Sequence, residues 1–243
     1  MPRGDVLWRR LETARPMELQ RLCEIVDVVD YREKSPPVLV EELSKEIRRT
    51  AGHTLPNLFR DAHDFAYKQM LIDVADKMAP GWTFVSWTSY TLNDRHSEIE
   101  IEETIWGYFE TAMEAKIRSL PEEAREQLRK DTENELRNLG YSQTLVGQIG
   151  AALAAGATAG FVAPALAYTI ALNTASGLAW LNLWWVGHAS AAAVFGVGGG
   201  VFALFYAPAL VWWLGNTAYR KTVPAALYLI QIRKLREIEA RLG

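Results

Sequence analysis

Residues 145–172 read LVGQIGAALAAGATAGFVAPALAYTIAL, and residues 190–214 read SAAAVFGVGGGVFALFYAPALVWWL. Both runs lie inside an 82-residue interval, between Arg137 and Arg220, that contains no Asp, Glu, Lys or Arg. A chain that is 23% charged overall does not leave such a gap as an ordinary globular domain. The first run, as a helix, reaches roughly 42 Å, enough to cross a hydrocarbon core of about 30 Å with tilt. The alternative, a buried apolar hairpin inside a soluble protein, has to bury an unusually long uncharged segment. The reading is therefore a two-span transmembrane hairpin over 141–219, with spans at about 145–172 and 190–214. Residues 178–187, with Trp180, Trp184 and Trp185, read as a short interfacial helix, because indoles favour the headgroup level.

The flanks carry all the charge. Residues 1–137 have a net charge of −7 and residues 220–243 a net charge of +4, within an overall −3. The connection between the spans has no Lys or Arg, whereas bases precede the first span and follow the second. The positive-inside rule then places both ends in the cytoplasm. The opening MPRGDVLWRR lacks the apolar core of a signal peptide. A global basic footprint for nucleic acid is absent, so such binding has to come from a local patch.

Outside the apolar interval the pattern is helical, giving a mainly α fold with a helical domain over 1–140. Leu11, Leu19, Leu22, Ile25, Val26 and Val29 recur at helical spacing with a break at Arg15-Pro16. Pro36-Pro37 opens a helix to about Thr50, and another is expected from about Pro56 to Met78. Residues 82–91 are aromatic and β-branched, the composition of a short β segment. Ser97 with Glu100 forms a capping box before a helix to about Leu120; Pro121 starts the next, and Gly140 stops it. Residues 220–243 read as a basic amphipathic helix in which Pro224 either begins the helix or kinks a longer one.

The spans are rich in small residues. Gly156-xxx-Gly160 and Gly196-xxx-Gly200 let helices approach closely, either within one hairpin or between copies of a homo-oligomer. Gln148, Thr158 and Thr169 share a helical face and can line a water path in a symmetric assembly or bond to neighbouring helices. No ionisable residue lies inside either span, which disfavours a proton relay or pump.

Enzymatic constellations are missing, so the reading is that the chain is not an enzyme and takes no metal or cofactor. His63 lies between acids at adjacent positions that face different ways, and His96 has no second histidine nearby. GVGGG lacks the Lys-Ser/Thr of a phosphate-binding loop, and the lone Cys23 sits on an apolar stripe.

The run Ala218-Tyr-Arg-Lys-Thr-Val-Pro-Ala225, followed by a helix ending in basic residues, resembles the C-terminal signature of the bacterial YaaW-like family. Tyr67-Lys-Gln-Met-Leu-Ile-Asp-Val-Ala-Asp-Lys-Met78 is similar to a second motif of that family, and the acidic helix around Thr104–Leu128 also fits. Such proteins are often labelled ubiquinol–cytochrome c chaperone-like. They also serve as the membrane effectors of Hailong anti-phage defence. The resemblance implies a homo-oligomeric channel in the bacterial inner membrane, in contact with lipids. A short single-stranded DNA, made by a partner nucleotidyltransferase, would hold it closed; loss of that DNA would open it and kill the cell.

Single-strand binding requires bases for phosphates and aromatic faces for nucleobases. The pairings on offer are Trp8 with Arg9 and Arg10, Tyr31 with Arg32, the pair Arg48 and Arg49, Phe59 with Arg60, and Tyr67 with Lys68. The rival reading is a membrane-tethered assembly factor or chaperone whose helices bind a protein client.

Overall fold

The computed structural model describes residues 4–52, 66–79, 95–119, 122–155 and 217–242. Among them the secondary structure is helical throughout: α1 (Val6–Thr13), α2 (Pro16–Val26), a 3-10 turn (Tyr31–Glu33), α3 (Pro36–Gly52), α4 (Tyr67–Met78), α5 (Glu98–Ser119), α6 (Glu122–Asn138), α7 (Gln143–Ala154) and α8 (Thr217–Leu242). The expected β segment at 82–91, the interfacial helix at 178–187, the second span and most of the first lie outside the described residues. Among the described residues no helix is long and apolar enough to cross a membrane.

Helix boundaries follow from local chemistry. Asp5 accepts the Trp8 amide at 2.9 Å and caps α1. Pro16 supplies the first residue of α2, where its missing amide hydrogen costs nothing, and Glu18 reaches back to the Arg15 amide at 2.7 Å. That helix ends at Asp27 in the left-handed region (φ 59°), with the Val28 amide donating to Cys23 O at 2.9 Å. The closure removes Val29 from the apolar stripe, and it is 72% exposed. The Ser97/Glu100 box forms in both directions, at 2.6 and 3.3 Å. Gly140 takes φ +77° and Tyr141 N donates to Leu136 O at 3.0 Å, the same six-residue closure.

Two expectations need correction. The helix expected from about Pro56 to Met78 is not continuous through Ala66, which is extended (ψ 135°) and exposed; α4 starts at Tyr67, and residues 53–65 lie outside the described residues. The terminal helix is not amphipathic along its length. Residues 225–232 of α8 are buried on every face, and a helix apolar all round belongs in a core. Only its last two turns emerge, with Glu237, Ala240, Arg241 and Leu242 exposed. Pro224 lies inside a continuous helix rather than at its start.

The core is assembled around α8, which contacts α2, α3, α4, α5 and α7. Helix α3 packs on α1 and α2, α4 on α5, and α6 on α7. Leu19, Leu22, Leu43, Ile47, Leu71, Val74, Ile105 and Trp106 belong to the same buried cluster as Leu229 and Ile230 of α8. Residues after the uncharged interval are therefore part of the same core as residues before it.

Helix α7 takes the first ten residues of the expected first span into this body. Leu145, Val146, Ile149, Gly150 and Leu153 are buried, while Gly147, Gln148 and Ala151 are exposed. A Cβ on Gly150 would collide with the Glu133 carboxylate, so that glycine makes room for an acidic side chain of α6.

Truncating a fully buried leucine costs about 2–5 kcal/mol, whereas exposed positions change stability by less than about 0.5 kcal/mol. Leu229→Ala in the detergent-solubilised chain should lower the denaturant midpoint accordingly, with Val29→Ala near wild type. Equal, small effects would mean that α8 does not sit in the core.

Candidate functional site

Burying a carboxylate is costly unless cations and hydrogen-bond donors meet it. Among the described residues two glutamates have no solvent exposure, Glu18 on α2 and Glu102 on α5. Each is met by an arginine of α8 and by a buried tyrosine.

At the first centre, Glu102 Oε2 accepts from Arg233 Nε at 2.7 Å and from Arg10 of α1 at 3.1 Å. Its Oε1 accepts the Tyr67 hydroxyl at 3.0 Å. Burial, reinforced by the Glu102 charge, pushes the Tyr67 phenol well above its ordinary range, so it stays a neutral donor. Arg233 spends its other nitrogens on Glu103 and Glu237, at 2.6 and 2.8 Å. Lys234 also reaches Glu103 at 2.6 Å and lies 5.7 Å from the Trp106 ring centroid. At the second centre, Glu18 accepts from the Tyr141 hydroxyl at 2.5 Å and from Arg236 at 3.2 Å. Burial and the neighbouring Glu18 raise the Tyr141 phenol as well. Arg15 stacks over the Tyr141 ring at 4.1 Å, donates to Leu139 O at 3.2 Å, and pairs with Glu239 of α8 at 2.7 Å. Arg233 and Arg236 are three residues apart, so the two glutamates fix both the rotation and the axial position of α8.

These centres absorb several residues proposed for DNA. Arg10 pairs with Glu102 while keeping 21% of its side chain exposed, and Tyr67 is buried against that carboxylate. Arg48 is 2% exposed, pairs with Asp5 and donates to Ser44 Oγ at 3.4 Å. Trp8 and Lys68 are half-buried. Arg9, Arg32 and Arg49 are exposed. The Arg32 guanidinium lies 5.7 Å over the Tyr31 ring, and Arg49 donates twice to Glu46, at 2.8 and 2.5 Å. Gln148 is exposed on α7. Arg60, Thr158, Thr169, Gly156, Gly160, Gly196 and Gly200 lie outside the described residues. Lys221 pairs with Asp27 at 3.0 Å.

Sequence reading missed Glu18, Glu102, Tyr141, Arg233 and Arg236. A signal existed: Glu102 shares a helical face with Ile105, Trp106 and Phe109, and an acid on an apolar face calls for a buried cation. Cys23 is fully buried, and desolvation, aided by Glu42, pushes its thiol up to about 12. It is a core residue without thiolate character at neutral pH. Comparison with known proteins finds no match among family models, curated sequences or solved structures.

Two outcomes follow. Tyr141→Phe removes one of the donors that Glu18 needs and should cost about 1–3 kcal/mol by chemical denaturation; a neutral result would mean that Arg236 and the Arg15 amide satisfy that carboxylate. On α6, the hydrogen bond from Arg129 holds Glu126 down at about 2, against 4.5 ordinarily. Because the folded state releases this proton more readily than the unfolded chain, the contribution is complete above pH 4.5 and is lost as pH falls toward 2. Thermal midpoints should therefore decline across that window, with a shallower decline in Glu126→Gln. An identical slope would exclude the pair as a source of acid sensitivity.

Proposed function

We propose that the chain is a homo-oligomeric membrane channel whose helical domain is its sensor, acting as an effector of anti-phage defence. One observation carries this reading. Helix α7 lies near the start of the uncharged interval and α8 begins at its end, and both helices pack into the same ion-paired core. A change in that core is therefore felt at both ends of the apolar segment. The segment itself supplies what a passive pore needs: two long uncharged runs, small-residue faces for assembly, and no mid-membrane ionisable group.

The ligand class comes from the resemblance to the YaaW-like and Hailong effectors: a short single-stranded DNA that holds the channel closed until it is lost. On the described surface, Arg9, the stacked Arg32–Tyr31 pair and Arg49 offer the cations and aromatic face that such a ligand requires. Its source would be a partner nucleotidyltransferase. The expected location is the bacterial inner membrane with both ends cytoplasmic.

The test is ionic current across a planar bilayer holding the purified full chain, before and after single-strand nuclease. Discrete steps that appear or grow after nuclease are the expected result. Steps indifferent to nuclease would retain the channel and remove the DNA ligand. Silence under both conditions, with oligomer confirmed in the bilayer, would favour a membrane-tethered assembly factor.

A further inference from the structure

Glu102 Oε2 serves two cations from different parts of the fold. Arg233 holds it from α8 at 2.7 Å, and Arg10 holds it from α1 at 3.1 Å. Arg233 is nearly enclosed, with 7% of its side chain exposed, whereas Arg10 keeps 21% at the surface. Arg10 Nε is buried without a hydrogen-bond partner among the described residues. Its neighbour Arg9 is exposed on the same short helix, which also carries an exposed Glu12. A carboxylate shared by two guanidiniums binds each less strongly than it would bind one alone, and the less buried arginine is the one an outside anion can recruit.

We propose that Arg10 is exchanged between Glu102 and a phosphate-bearing anion on the α1 surface, and that Glu102 relays the exchange to α8 through Arg233. The relay rests on the sensor reading above and names its regulation. When the anion engages Arg10, Glu102 Oε2 is left to Arg233 alone and α8 is gripped more tightly. When the anion departs, Arg10 returns and the grip on α8 weakens. The sign matches a channel held shut by its ligand. Glu102 is a positioning residue here, since it acts on the ligand only through Arg10.

The experiment measures binding of a fluorescent oligothymidylate to the full-length chain in detergent, for the unsubstituted protein, Arg10→Gln, Glu102→Gln and the double variant. Far-ultraviolet circular dichroism confirms helicity in each. Removing the competitor in Glu102→Gln should tighten binding by about threefold or more, and the gain should vanish when Arg10 is already Gln. An equal gain in both backgrounds is a general charge effect and overturns the relay while leaving the ligand in place. If the unsubstituted chain does not bind the oligonucleotide, the ligand assignment and the relay both fall. Should Glu102→Gln not fold, amide exchange on the unsubstituted chain decides. Protection of α8 amides should rise on adding the oligonucleotide, and unchanged or reduced protection overturns the proposal.

Discussion

The pairing of two fully buried carboxylates with arginines one helical turn apart on α8 governs this fold. An apolar helix surrounded by apolar neighbours can slide or rotate with modest loss, because cores tolerate repacking when volume is preserved. Glu18 and Glu102 remove that freedom. Any other rotation of α8 takes Arg233 from Glu102 and Arg236 from Glu18, and a buried ion that loses a partner costs several kcal/mol. Pairs of this kind do little for net stability against an apolar alternative. Their effect is to leave α8 one acceptable register among α1, α2, α5 and the turn before α7.

Much of the helical architecture was legible from local chemistry. The caps at Ser97, Pro16 and Gly140 were readable because each depends on residues within one turn. Val29 was misassigned because a left-handed Asp27, which no apolar spacing announces, closes α2 first. The larger error concerned residues 220–243. Their basic residues suggested a cytosolic face, yet Arg233 and Arg236 are inward ligands of buried acids. Periodicity cannot reveal this, since the partners lie more than a hundred residues away in the chain. Shorter separations, 92 and 35 residues, likewise hid Arg10 and Tyr67, whose types suited a nucleic-acid surface and whose positions bind them to Glu102.

Helix α7 shows why hydropathy alone overstates a membrane span. Residues 145–154 have the Gly/Ala-rich, charge-free character of a membrane segment, yet Leu145, Ile149 and Leu153 pack into the helical body and Gly150 admits the Glu133 side chain. Small residues in such a segment serve close approach of any neighbour, including a carboxylate already paired with Arg129 and Arg137. On the proposed reading, the uncharged residues from 156 to 172 would be left for a first crossing, about 26 Å if helical, near the short end for a span.

The place of α8 in the sequence also sets an order of events during synthesis. Helices α1 to α7 are made first, but the surfaces of α2, α3, α4 and α5 that meet α8 stay uncovered, and Glu18 and Glu102 lack their α8 arginines, until residues 222–236 emerge. Between those moments the ribosome delivers the whole uncharged stretch. Lipid insertion of that stretch, on the proposed reading, begins while the helical body still lacks its centre, so the ion-paired core closes only on a chain whose apolar segment has already been placed.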